Sequence, residues 1–247
     1  MNIMVKKTKA TPKRKEAVCR MPFTQCEIEG KKQEPQALSN ITWRIFRIMA
    51  EFVEGFEFIS QFSREISIFG SARFDEKDHW YKEARELGRL LAKAGFTVVT
   101  GGGPGVMEAA NRGALEGGGE SVGINIQLPL EQRINPYVTQ GKGFHYFFTR
   151  KVMLSASAQG YVFFPGGYGT LDEMFEMLTL VETGKAQRVA MVLVGKEHWK
   201  PLVDWLRSDV FMRDHAISAK DLGLFEIVDT AKEAFELMKN TKERTIF

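Results

Sequence analysis

From residue 65 onward the apolar residues fall into short unbroken runs separated by longer stretches in which they recur at three- and four-residue steps. The runs at 66–69, 97–100, 121–126, 144–148, 161–164, 190–194 and 225–228 are apolar on successive residues, as expected of strands covered by helices on both faces. The intervening stretches near 80–94, 104–116, 150–158, 170–183, 199–208 and 231–239 carry helical periodicity. This alternation predicts an α/β fold, a doubly wound and mainly parallel sheet with right-handed crossovers over residues 63–247. Ahead of it, Ile41, Ile45, Ile48, Phe52, Phe56 and Ile59 predict an N-terminal helical extension over 37–62, with Ser39 or Asn40 as its N-cap. That stripe reads as packing on the main domain or across a subunit interface. Glu51, Glu54 and Glu57 among its polar positions argue against a membrane-surface helix.

Composition changes this picture little. With 44% hydrophobic and 26% charged residues, the 247-residue chain has the makeup of a globular protein with a sizeable core. Charge matters more. Residues 1–35 hold nine Lys or Arg against four Glu, which leaves the other 212 residues at a net −2 out of an overall +3. The folded part is therefore not expected to bind nucleic acid, and residues 1–36, punctuated by Pro12, Pro22 and Pro35, read as a disordered basic tail. Both cysteines, Cys19 and Cys26, lie in that tail and read as free thiols in a reducing cytoplasm. No apolar run is long enough to span a membrane, and the N-terminus lacks the apolar stretch of a secretory signal. His79, His145, His198 and His215 show no ligand spacing, so neither a metal nor a cofactor is implied.

Three strand-to-helix junctions carry unusual residues, and in a doubly wound sheet such junctions form the ligand crevice. The first is Phe69-Gly70-Ser71-Ala72-Arg73, where Gly70 permits a sharp turn and Ser71 offers a hydroxyl and an amide. The second is Thr100-Gly101-Gly102-Gly103-Pro104-Gly105-Val106-Met107-Glu108. Its glycines Gly102, Gly103 and Gly105 allow close backbone approach, Pro104 suits the first position of a helix, and a helix start favours phosphate. It is not a Walker A loop, since no Gly-Lys-Ser/Thr follows. Glu108 and Asn111 share a face of the following helix and could touch ribose or base, or simply be solvated.

The third junction is Phe164-Pro165-Gly166-Gly167-Tyr168-Gly169-Thr170-Leu171-Asp172-Glu173. Thr170 and Glu173 stand in the T-x-x-E spacing of a capping box, which would satisfy the helix end without any ligand. Two glycine-rich helix starts on one sheet nonetheless point to an anion held between them.

The Pro165–Glu173 stretch resembles the PGGxGTxxE motif of the Lonely Guy (LOG) family of nucleotide-processing proteins. The Gly101–Gly105 loop resembles that family's other glycine-rich motif, and Thr149-Arg150-Lys151-Val152-Met153 resembles its arginine-bearing helix start. The likeness covers roughly residues 65–230. The segment Ala50-Glu51-Phe52-Val53-Glu54-Gly55-Phe56 looks like the extension of the longer bacterial branch. The resemblance implies a Rossmann-like cytoplasmic phosphoribohydrolase, a homodimer or higher homo-oligomer. Such an enzyme hydrolyses the N-glycosidic bond of a nucleoside 5′-monophosphate, AMP or a cytokinin riboside monophosphate, to free base and ribose 5-phosphate. It further implies Arg150 and Glu173 as catalytic residues, with Gly70, Ser71, Gly102, Gly103, Gly105, Glu108, Asn111, Gly166, Gly167, Gly169 and Thr170 around the substrate. One departure is visible: the shorter members read GGGxxGxMG where this chain reads GGGPGVME, with Glu108 in place of glycine.

Cleavage of this bond develops positive charge on the ribosyl ring, which a nearby carboxylate stabilises. Glu173 suits that role or a ribose contact. Arg150, always protonated, suits orientation of Glu173 or binding of phosphate or base. The competing expectation is a carrier that holds a phosphorylated ligand such as molybdenum cofactor without consuming it. A pyridoxal-phosphate decarboxylase would need a Schiff-base lysine, and only Lys151 lies near these loops.

Overall fold

The computed structural model describes residues 40–127 and 134–243. The expected tail, with Cys19, Cys26 and the Ser39 cap, lies outside the described residues. Helix α1 (Asn40–Ile59) precedes β1 (Glu65–Phe69), α2 (His79–Lys93), β2 (Thr97–Thr100), α3 (Val106–Glu116), β3 (Ser121–Ile126) and β4 (Gln140–Phe144). Then follow α4 (Phe147–Ser157), β5 (Gly160–Phe163), α5 (Tyr168–Glu182), β6 (Ala190–Val194), α6 (Lys196–Trp205), β7 (Glu226–Val228) and α7 (Ala231–Met238). A π-helical segment, Leu206–Arg213, prolongs α6.

The seven strands form one sheet in the order β4-β3-β2-β1-β5-β6-β7, and every pairing is parallel. The chain winds outward from β1 to β4, crosses back to β5 beside β1, and winds outward again. Alternate strand residues feed two cores. On one face Ile66, Ile68, Val98, Val162 and Val192 meet α2, α3 and α7. On the other, Phe69, Val99, Ile124, Phe163 and Leu193 meet α4, α5 and α6. The apolar runs at β1, β2, β3, β5 and β6 thus lie on strands buried from both sides, whereas β7 at the sheet edge is only half-buried.

Three boundaries differ from expectation. The aromatic run 144–148 is not a strand: β4 is the upstream Gln140–Phe144, whose glycines and lysine pair with β3 at the sheet edge, and α4 has begun by Phe147. Pro104 lies in the loop rather than at a first helical position, because Gly105 is the N-cap of α3. Helix α5 starts at Tyr168, with Gly167 as an N-cap that makes no side-chain hydrogen bond. The capping box at Thr170 and Glu173 is therefore not formed.

Helix α1 also turns differently from the simplest expectation. Ile48, Phe52 and Ile59 approach the domain, but Ile41, Ile45 and Phe56 are exposed. The face seated on the domain is centred instead on Glu51 and Gly55, both buried.

Candidate active site

The order of the sheet reverses between β1 and β5, so the loops leaving these strands lie side by side, where a doubly wound sheet opens its crevice. Backbone hydrogen bonds tie the three glycine-bearing junctions into one unit. Phe164 N–H donates to Phe69 O at 2.8 Å and Ser71 N–H to Pro165 O at 3.0 Å. Val106 N–H, at the start of α3, donates to Ser71 O at 3.0 Å. Gly105 makes that last contact possible: its φ is +70°, and a Cβ there would stand 2.3 Å from Ser71 O. Gly70 packs as closely on Val106. Gly70 and Ser71 therefore join the loops to one another, and the Ser71 hydroxyl accepts from Arg73 N–H at 3.1 Å.

The β2–α3 loop is held from below by a buried amide cluster. Asn111 is fully buried: its Oδ1 accepts from Thr100 Oγ1 at 2.6 Å and its Nδ2 donates to Ser121 Oγ at 2.8 Å. Asn135 donates through its backbone N–H to Gly102 O at 2.8 Å, and through Nδ2 to Gly103 O and Asn111 Oδ1, each at 3.0 Å. Thr100 Oγ1 in turn accepts from Gly102 N–H at 3.0 Å. This corrects two expectations. Asn111 lies beneath the loop rather than in the cleft, because every polar atom of its side chain is engaged by the protein. The Gly102 amide is likewise turned inward, and Gly102, Gly103 and Gly105 are all buried. Glu108 faces α2, where Tyr81 donates to its Oε1 at 3.1 Å. Burial pushes the Tyr81 hydroxyl up to about 12, so it stays a donor.

The α5 start is the opposite case. Gly167, Tyr168 and Gly169 are exposed, while Gly166 folds over the buried Thr170. A Cβ added at Gly167 or Gly169 would meet nothing within 4 Å, and neither residue has a positive φ. Protein sterics therefore do not demand glycine at these two positions. The first turn of α5 has no capping side chain and its residues Gly167–Gly169 are exposed, an arrangement suited to an anion at a helix N-terminus.

Arg150 and Glu173 lie close enough for their charges to interact. Arg150, in the first turn of α4, donates from Nε to Ile124 O at 2.8 Å. Its guanidinium lies over Gly101, where a Cβ would come within 2.4 Å of Nη2. Burial lowers its pKa, and the charge of Glu173 opposes that shift. Glu173, on the second turn of α5, is 7% exposed. Burial raises its carboxyl to about 7 against the pull of Arg150 and then of Lys151, with Glu176 and Asp172 adding to the rise. Among the described residues its carboxylate makes no hydrogen bond, so it is available to a ligand. Lys151 pairs instead with Asp172 at 2.8 Å and Glu176 at 3.3 Å. Burial alone would lower the Lys151 pKa, but these carboxylates outweigh it and the net shift is upward. Among the described residues no cluster of His, Cys, Asp or Glu could hold a metal ion, and no helix is long and apolar enough to cross a membrane.

The structure thus brings together Arg150, Glu173, the Gly70–Ser71 turn and both glycine-rich loops. It sets Asn111 below them and Glu108 to one side. Sequence reasoning missed Asn135 and the carbonyl of Ile124, which hold the loop and the guanidinium. Neither has a signal in periodicity or motif.

The sequence model of the family described as "Possible lysine decarboxylase" matches residues 107–238, more than half of the chain. A cytokinin riboside 5′-monophosphate phosphoribohydrolase of Rhodococcoides fascians is 25% identical over 146 residues, covering 58% of this chain and 74% of that protein. The cytokinin riboside 5′-monophosphate phosphoribohydrolase LOG of Oryza sativa subsp. japonica is 32% identical over 152 residues, covering 60% of this chain and 61% of that protein. Among solved structures, the molybdenum cofactor carrier protein of Chlamydomonas reinhardtii shares the fold, with a TM-score of 0.51 and 23% identity over 72% of this chain and 98% of that one.

Proposed function

Because the chain belongs to the Lonely Guy (LOG) family, the one described as possible lysine decarboxylases, we propose that it is a nucleoside 5′-monophosphate phosphoribohydrolase acting on AMP or a cytokinin riboside monophosphate. The observation that carries this reading is the buried Glu173 carboxyl, within electrostatic reach of the half-buried Arg150 and on the helix whose N-terminus has no side-chain cap. The 5′-phosphate sits on the amides at Gly167–Thr170, where Gly167 and Gly169 let it approach the backbone. The ribose then lies toward Glu173. As the C1′–N bond breaks, the departing base takes up a proton and the ribosyl carbon becomes cationic. The Glu173 carboxylate faces that charge and orients the attacking water, whose oxygen completes ribose 5-phosphate. Arg150 fixes the carboxylate electrostatically and supplies donors to phosphate or base.

Two features favour this reading over its rivals. A carrier has no need of a near-neutral carboxylate buried beside its ligand. A Schiff-base enzyme needs a neutral lysine, and Lys151 is held as an ammonium by Asp172 and Glu176.

The test is incubation of the purified protein with AMP, a cytokinin riboside monophosphate and the other common monophosphates, assayed for free base and ribose 5-phosphate. The wild type is expected to release base. Glu173→Ala and Arg150→Ala are each expected to lose roughly 10²–10⁴-fold in kcat, with nucleotide binding kept in at least one. Absence of base release, with tight binding of a phosphorylated pterin unaffected by Glu173→Ala, would establish the carrier instead.

A further inference from the structure

Helix α4 begins in an electrostatically unfavourable way. Its N-cap, Tyr146, makes no side-chain cap, its first turn holds no acidic residue, and that turn carries the cation Arg150. Positive charge at a helix N-terminus opposes the helix dipole. The missing anion comes from elsewhere in the chain. Glu51 of α1 is buried, 6% exposed, and accepts from His145 N–H at 2.7 Å, Tyr146 N–H at 3.3 Å and Thr149 Oγ1 at 2.6 Å. One carboxylate therefore caps the helix end and grips the residue next to Arg150.

The same helix is fixed to its neighbours by further contacts. Glu54 pairs with Lys142 of β4, the Arg44 guanidinium lies 5.6 Å from the Tyr146 ring, and Gly55 packs against Met153 of α4. Helix α1 makes no strand of the sheet and supplies no residue to the crevice. Glu51 is where it reaches the element that does.

We propose that Glu51 is a positioning residue for Arg150: by capping α4 from outside the sheet, it holds the guanidinium over Gly101. The inference rests on the hydrolase reading above. Its consequence is felt at Glu173, which Arg150 and Lys151 of α4 face and which Asp172 and Glu176 flank on its own helix. With Glu51 removed, the first turn of α4 loosens, Arg150 withdraws, and Glu173 is harder to ionise.

The experiment compares kcat and KM across pH for wild type, Glu51→Ala, Glu51→Gln, Glu54→Ala, Arg150→Ala and the double variant Glu51→Ala/Arg150→Ala. Glu51→Ala is expected to lose roughly 10–100-fold in kcat, with a smaller change in KM and the acidic limb of the kcat profile moved to higher pH. Glu51→Gln, which keeps an acceptor oxygen without the charge, is expected to recover part of kcat. Glu54→Ala removes a second α1 anchor and is expected to lower thermal stability without moving the limb. In the Arg150→Ala background the Glu51 substitution is expected to add nothing.

An unmoved limb in Glu51→Ala, activity lost only in proportion to folded protein, an equal shift in Glu54→Ala, or additive losses in the double variant would each overturn the proposal. If the wild type itself releases no base, the hydrolase reading fails. The carbon-13 carboxyl titration of Glu173 in wild type and Glu51→Ala then decides the positioning role by itself: an upward shift supports it and an unchanged midpoint ends it.

Discussion

Glu173 holds a carboxyl group in a place that water barely reaches, and the fold bears the cost. An ordinary glutamate has a pKa of 4.5, and burial in this site raises it to about 7. Between those values the folded protein binds a proton that the unfolded chain has released, so stability falls as pH rises through the interval and is flat above it. The full difference corresponds to roughly 3 kcal/mol. Glu173→Gln removes the titrating group while keeping its shape. It is expected to be more stable than wild type by up to that amount near pH 8, and no more stable below about pH 4.5. Urea unfolding of both proteins at the two pH values measures the difference. Activity runs the other way. If the carboxylate is the working form, kcat rises with pH through about 7 in the wild type, while Glu173→Gln is inactive throughout. A wild-type profile that falls through this range would show that the protonated acid does the work.

At the scale of elements, two kinds of glycine can be separated. Gly105 is required by the chain, since its φ is +70° and its Cα lies against Ser71 O. Gly169 is not, being exposed in the first turn of α5 with nothing within 4 Å of a Cβ. Gly169→Ala is therefore expected to be as stable as wild type or up to about 1 kcal/mol more stable, because alanine favours the helix. Its KM for nucleotide is expected to rise roughly tenfold or more as the added methyl meets the phosphate. Gly105→Ala is expected to be destabilised, with its α3 start displaced. Thermal melts and KM values measured side by side distinguish the two; an unchanged KM in Gly169→Ala would remove the phosphate from this helix end.

The same elements show what a sequence can disclose. The glycine loops are legible because their glycines are concentrated in a few neighbouring residues, whereas Arg150 and Glu173 are singled out through the resemblance to a family motif. Asn135 and Glu51 are not, since their partners lie 24 to 98 residues away and only the finished sheet brings them together. Strand β4 is missed for a similar reason: Gln140–Phe144 has little intrinsic strand preference and pairs because β3 offers it an edge. The T-x-x-E spacing points to a capping box because local spacing does not reveal where a helix starts, and here the N-cap is Gly167, three residues before Thr170.

At the scale of the whole molecule, the sheet accounts for the site and α1 accounts for what surrounds it. The switch of direction between β1 and β5 gathers three loops into one crevice, while α1 lies across α4 and leaves a second face outward. On that face Trp43, Phe46, Met49 and Val53 are between 56% and 75% exposed. Together they present roughly 500–700 Å² of apolar surface, more than a monomer ordinarily leaves in water on one helix. It also approaches the roughly 800 Å² that each partner contributes to a standard interface. We propose a second copy of the chain as the occupant, since the apolar stripe of one helix can pack against its own copy across a two-fold axis. The purified protein is expected to sediment as a dimer. Met49→Glu with Val53→Glu should yield a monomer by placing two buried charges on each side of the contact, and should leave Glu51, on the opposite face of α1, in its cap. Sedimentation equilibrium over a wide concentration range measures this directly. A wild type that remains monomeric at the highest concentration would assign the ridge to another partner, and vesicle co-sedimentation would then show whether that partner is a lipid surface.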